Sequence, residues 1–186
     1  MSEETKNSQE EEAIGKTYDF RVARRLVGYM PEGMDKVFFV SGGSEAVESC
    51  LKLARQWAVA TGQGQRCKVI SRFPAYHGST FGALAVTGYD ALTKPFLPMM
   101  QVMPKIPAPT AYLDRDNLSM EQRGIRYADM LEEKILAEGA DSVLAFIMEP
   151  IGGASTGARS SGRRVGRRRP RVVWPLGAHA RRCLLR

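Results

Sequence analysis

Phe38-Phe39-Val40-Ser41-Gly42-Gly43-Ser44-Glu45-Ala46-Val47-Glu48 runs from a short apolar segment through small residues into the start of an amphipathic helix. A strand that feeds a Gly/Ser turn into a helix N-terminus presents unpaired backbone N–H groups at the positive end of the helix dipole, which suits a phosphate. Glycine lets the backbone approach phosphate oxygens, and the Ser44 hydroxyl adds a donor. The plain alternative is a tight strand-to-helix connection, since short Gly-rich turns are weak signals. No Gly-Lys-Ser/Thr follows, so this is not a Walker loop. The glycine spacing also excludes a dinucleotide fingerprint.

Working outward, Val22, Leu26 and Met30 predict a helix within residues 17–30, ended by Pro31. Lys36 to Val40 has the composition of a short buried strand. Val47, Leu51, Ala54 and Ala58 then align on one helical stripe, widened by Cys50 and Trp57, and Gly62 and Gly64 stop it. Cys67 to Ser71 reads as a second strand, Arg72 to Gly78 as a loop, and Ser79 as the cap of a small-residue helix through Ala85. Pro95 to Asn117 reads as an irregular crossing. Ser119 opens a helix to Glu138 with Tyr127, Leu131 and Ile135 aligned, and Gly139 stops it. Ser142 to Met148 is the most continuous apolar run, a central strand ending in Glu149-Pro150.

Alternating strands and helices predict an α/β fold with a mostly parallel sheet and flanking helices. Ligands of such sheets gather at the carboxyl ends of the strands. Ser41–Ser44, Tyr76–Gly78 and Glu149 are each expected just past a strand end, on one sheet edge.

Composition bounds the remaining classes. With 44% hydrophobic and 25% charged residues, 186 residues suffice for a globular domain with a real core. No run approaches the roughly 20 apolar residues of a membrane span, and the N-terminus lacks an apolar signal region. Cys50, Cys67 and Cys183 have no metal-ligand spacing and cannot all pair, which fits a cytoplasmic protein with Cys50 and Cys67 in the core. The net charge of +7 is uneven: residues 159–186 hold ten arginines and no acid, leaving −3 on residues 1–158. The body is a mildly acidic domain, so nucleic acid is not the expected partner.

Two further constellations each admit two readings. Tyr76-His77 is either a surface pair or an aromatic face for stacking a heteroaromatic ring, with a hydrogen-bonding imidazole beside it. Glu149 either caps the loop after its strand or orients a cofactor. A Ser41 or Ser44, His77 and Glu149 triad lacks the Gly-x-Ser-x-Gly elbow.

Together the motifs resemble the class-III, pyridoxal-phosphate-dependent aminotransferases of fold type I. The resemblance rests on Val37 to Glu48 with Leu51-Lys52-Leu53-Ala54-Arg55, on Tyr76-His77-Gly78-Ser79-Thr80 with Gly82-Ala83, and on Glu149-Pro150-Ile151-Gly152-Gly153. It implies a partial large domain of the aspartate aminotransferase-like fold over residues 17–158, between an acidic, disordered tail at 1–16 and an arginine-rich tail at 159–186. It implies that Gly43 and Ser44 bind the phosphate of pyridoxal 5'-phosphate while Gly42 shapes the turn. Tyr76 would stack on the pyridine ring, and His77 and Glu149 would line the pocket. The implied chemistry is amino transfer from an amine or amino acid to an oxo acid, in a homodimer.

In this family an aspartate that pairs with the ring nitrogen follows the Glu-Pro motif, and the Schiff-base lysine comes later still. Here the last lysine is Lys134 and the last aspartate Asp141, both before Glu149. Neither Lys105 nor Lys134 matches the family position, so no catalytic residue is assigned, and these residues alone are not expected to transaminate. The arginine-rich tail is either a shifted reading frame or a basic tail. The alternative function is accordingly a non-catalytic module whose tail binds nucleic acid or another polyanion. A third reading is a remnant that folds poorly, because a sheet lacking strands exposes its edges.

Overall fold

Val69 and Ile70, adjacent on one strand, face opposite sides of a sheet, and the two halves of the core follow from that alternation. Val69 packs with Ala54, Ala58, Val86, Leu144 and Ile147. Ile70 packs with Ile106, Leu131 and Val143. The computed structural model describes residues 20–110, 113, 116–155, 159–160 and 174–175. The acidic tail and most of the arginine-rich tail lie outside them. The chain divides into two units, residues 1–39 and 40–186.

In the first unit, the predicted helix is α1, Phe20–Val27. The strand expected at Lys36 to Val40 is not formed. Those residues enter no ladder among the described residues, and Phe38 is 78% exposed. An apolar run supplies the composition of a strand, but a strand also needs a neighbour to accept its hydrogen bonds.

The second unit runs α2 (Gly43–Ala60), β1 (Lys68–Phe73), α3 (Phe81–Ala85), α4 (Asp90–Thr93) and a 3-10 segment, Lys94–Met99. β2 (Lys105–Pro107), α5 (Met120–Glu138), β3 (Val143–Phe146), β4 (Ile151–Gly152), β5 (Arg159–Ser160) and β6 (Trp174–Pro175) follow. The main sheet has the order β2-β1-β3-β6. β1 is parallel to both neighbours, with Arg72 opposite Ile106 and Ile70 opposite Phe146. β6 joins β3 antiparallel, and β4 pairs with β5. The expected α/β fold with a mostly parallel sheet is therefore present.

Helix α2 lays Ala54 and Ala58 on one face of the sheet, and its small residues allow close approach. Helix α5 lays Leu131 on the other. Its start is a reciprocal capping box, with Ser119 Oγ accepting the Gln122 amide at 3.2 Å and Gln122 Oε1 accepting the Ser119 amide at 2.8 Å.

Three further expectations need correction. The crossing at Pro95 to Asn117 is not wholly irregular, because Lys105–Pro107 pairs with β1. Three residues that end in a proline are too few to show a period, and an edge position tolerates proline. Ser79 does not cap α3; Thr80 is the N-cap residue, and it makes no side-chain cap bond. Cys67 is exposed and Cys50 half-buried, so neither is a core residue.

Candidate cofactor site

Helix α2 begins at Gly43 with an open N-terminus. Gly42 precedes it in extended backbone and supplies no side-chain cap. The first helical bond runs from the Ala46 amide to the Gly42 carbonyl at 3.0 Å. The amides of Gly43, Ser44 and Glu45 therefore precede the ladder. Space above Gly42 and Gly43 is open, since a Cβ added to either would meet nothing within 4 Å.

The Tyr76–Ser79 loop follows β1 and returns to this turn. Ser44 Oγ accepts the Ser79 amide at 3.0 Å and lies 3.5 Å from Ser79 Oγ. Accepting that bond leaves the Ser44 hydroxyl proton available for donation. His77 is buried, and its backbone amide donates to Thr87 Oγ1 at 3.0 Å. Thr87 Oγ1 lies 2.9 Å from the Ala83 carbonyl and 3.2 Å from that of Gly78, so one threonine ties the loop to α3. His77 Nε2 has no hydrogen-bond partner among the described residues. Burial, reinforced by the positive charge of Lys105, pushes the imidazole pKa down to about 4, so it is neutral at pH 7. Lys105 Nζ donates to the carbonyls of Ala85 and Met103, at 3.0 and 3.1 Å, and burial lowers its pKa.

Glu149 lies three residues beyond β3. Its pKa is raised by burial, opposed by hydrogen bonds from the backbone of Tyr76 and of Gly153. Its carboxylate therefore lies near the backbone of both Tyr76 and Gly153.

The residues singled out in the three sequence segments lie near one another. Ser44 accepts the Ser79 amide of the Tyr76–Ser79 loop, and Glu149 lies near the Tyr76 backbone of the same loop. Tyr76 and Glu149 lie just past β1 and β3 as expected, whereas Ser41–Ser44 follows chain without a strand. Sequence reasoning gave no role to Glu48, Thr87 or Lys105. Only Glu48 left a signal, standing one helical turn after Ser44 on the same helix face. Among the described residues no cluster of His, Cys, Asp or Glu has metal-site geometry, and no helix is long and apolar enough to cross a membrane.

An open helix N-terminus and an aromatic loop gathered at a parallel α/β sheet define a class of anion-binding site. The comparisons with known proteins are more particular. The sequence model of the aminotransferase class-III family matches residues 6–161, and the chain belongs to that family. A probable aminotransferase of Mycobacterium tuberculosis is 41% identical over 130 residues, covering 70% of this chain and 28% of the relative. The putrescine–pyruvate aminotransferase of Pseudomonas aeruginosa is 37% identical over 133 residues, covering 72% and 29%. Among solved structures, an (S)-enantioselective omega-transaminase from Thermomicrobium roseum matches with a TM-score of 0.71 at 36% identity, covering 76% of this chain and 32% of that one. The omega-transaminase of Pseudomonas jessenii in complex with PMP matches with a TM-score of 0.72 at 32% identity, covering 78% and 33%. The chain therefore spans about 30% of the length of these relatives. None of them supports a polyanion-binding module.

Proposed function

We propose that residues 17–158 form the pyridoxal-phosphate-binding part of a class-III aminotransferase large domain, the whole protein moving an amino group from an amine or amino acid to an oxo acid. The observation that carries this is the bond from the Ser79 amide to Ser44 Oγ, which joins two of the three motifs, with Glu149, in the third, close to the backbone of Tyr76. The residues present fit the cofactor. The early amides of α2, beside the open space at Gly42 and Gly43, and the Ser44 hydroxyl suit a phosphate, with Gly42 shaping the turn. Tyr76 offers a ring for stacking, and neutral His77, with a buried unpartnered nitrogen, offers a polar contact beside it. Glu149 lies near the backbone of the loop that carries Tyr76. When bound, the cofactor supplies the electron sink for amino transfer. Solved relatives described as PMP-complexed and PLP-bound support the assignment. A homodimer and a cytoplasmic location belong to the same reading.

The test is a titration of the full chain with pyridoxamine 5'-phosphate, which lacks the aldehyde that modifies surface lysines. Saturable uptake, competed by inorganic phosphate and weakened about tenfold by Ser44→Ala, is expected. Uptake that does not saturate, or that ignores both phosphate and the substitution, overturns the reading.

The arginine-rich tail belongs to this proposal as a shifted reading frame. The family match ends at residue 161, where arginine takes over from mixed charge. An arginine codon beginning CG at Arg159, followed by UC-type codons for Ser160 and Ser161, permits Val-Pro-Pro one base later. The nucleotide sequence decides the matter: an alternative frame encoding neither an aspartate-bearing strand nor a later lysine rules the shift out.

A further inference from the structure

We infer that Glu48 is a positioning residue for the cofactor cup, holding the Tyr76–Ser79 loop in place from one helical turn beyond Ser44. The inference rests on the reading of that cup as the pyridoxal-phosphate site.

Ser44 and Glu48 are four residues apart on α2 and so share one helix face. Both use that face to accept backbone amides from a single passing segment. Ser44 Oγ takes the Ser79 amide at 3.0 Å. Glu48 Oε1 takes the amides of Gly82 and Ala83, at 2.8 and 3.2 Å. The second pair opens α3, whose own N-cap residue, Thr80, provides no side-chain acceptor. Glu48 supplies from another helix the cap that α3 lacks, and as a carboxylate it makes the stronger, charge-assisted form of that bond.

The packing shows that this contact is built in. A Cβ on Gly82 would stand 2.7 Å from Glu48 Oε1 and 2.8 Å from Glu48 Cδ, and closer still to Oε2. Any side chain at position 82 would therefore drive the carboxylate away, and glycine is what admits it.

Two links carry the position of α3 into the site. At one end of the loop, Ser79 is three residues before Gly82 and is bonded to Ser44. At the other end, the Thr87 hydroxyl beside the Ala83 carbonyl accepts the His77 amide. Freeing the start of α3 thus loosens the loop at both Ser79 and His77, with Tyr76 next to His77. A carboxylate that merely capped α3 would loosen Gly82 and Ala83 alone.

The experiment is amide hydrogen exchange on the full chain without cofactor, paired with pyridoxamine 5'-phosphate affinity, for the wild type, Glu48→Ala, Glu48→Gln and Gly82→Ala. Glu48→Ala and Gly82→Ala are expected to speed exchange at Ser79 and His77 as well as at Gly82 and Ala83, by about tenfold, and to weaken affinity by a similar factor. Glu48→Gln keeps an acceptor oxygen and is expected to restore most of both. Faster exchange confined to Gly82 and Ala83, or a Gln variant as loose as the Ala variant, overturns the inference. If the wild type takes up no cofactor, the cofactor reading fails, while the exchange pattern still decides whether Glu48 holds the loop.

Discussion

Gly78 lies so close against Ser44 that a Cβ placed on it would stand 2.7 Å from Ser44 Oγ and 2.9 Å from Ser44 Cα. Its φ of +139° is also a conformation that L side chains rarely adopt. The aromatic loop meets the first turn of α2 here with no atom to spare. Gly78→Ala is expected to lower the unfolding free energy by about 2–3 kcal/mol, through strain and overpacking together. It should also weaken pyridoxamine 5'-phosphate binding, because the loop must back away from Ser44. Chemical denaturation and a binding titration on one preparation check both.

The buried imidazole of His77 makes stability depend on pH. In the unfolded chain its pKa is near the ordinary 6.5; folded, burial and then Lys105 hold it down to about 4. Between those values the unfolded state binds the proton more readily, so stability rises with pH across the window. The contribution is fully present above about pH 6.5 and is lost as pH falls toward about 4, amounting to about 3 kcal/mol. His77→Phe keeps an aromatic ring and removes the titration. Denaturation curves from pH 4 to 7 should show a shallower pH dependence for the variant, and parallel curves would contradict the assignment.

Arg72 lies near the end of β1 with its guanidinium over the Phe146 ring, 5.5 Å from the centroid. Nε is buried without a hydrogen-bond partner among the described residues. Burial, opposed weakly by Tyr127, lowers its pKa to about 10. A cation–π contact offsets only part of the cost of removing a guanidinium from water. Arg72→Met retains the apolar stem and drops the charge. It is expected to change stability by less than about 1 kcal/mol, or to raise it, whereas a loss of more than about 2 kcal/mol would show that the charge has a stabilising partner.

What the sequence disclosed divides along the range of the interactions. Helices α2 and α5 were legible because their faces repeat over many turns and their stops, Gly62 and Gly139, are local signals. β1 and β3 were legible as apolar runs between turn residues. β2 was not, because three residues, one of them a proline, carry no period, and only the neighbouring Ser71–Phe73 stretch makes them a strand. Phe38-Phe39-Val40 misled for the converse reason, having the residues of a strand but entering no ladder among the described residues. At the site, Ser44, Tyr76 and Glu149 announced themselves by residue type and place. Their supports did not, since the roles of Glu48 and Thr87 exist only where two separate segments meet.

Effects on the site and on overall stability separate cleanly at the capping box of α5. Ser119 and Gln122 exchange side-chain and backbone hydrogen bonds at the helix start, and this helix buries Leu131 against Ile70, on the sheet face opposite Val69 and α2. Ser119→Ala removes the acceptor for the Gln122 amide and is expected to cost about 1 kcal/mol, while Ser119→Asp, another good cap, should cost little. Because the two bonds form one motif, Ser119→Ala and Gln122→Ala together should cost less than the sum of the two alone. None of these variants touches Ser44, Tyr76 or Glu149. Thermal melts should therefore shift while pyridoxamine 5'-phosphate affinity, measured well below the transition, stays at the wild-type value. An affinity that falls in step with the melting temperature would mean that binding reports the folded fraction, and the effects expected for Ser44, Glu48 and Gly78 would need the same correction.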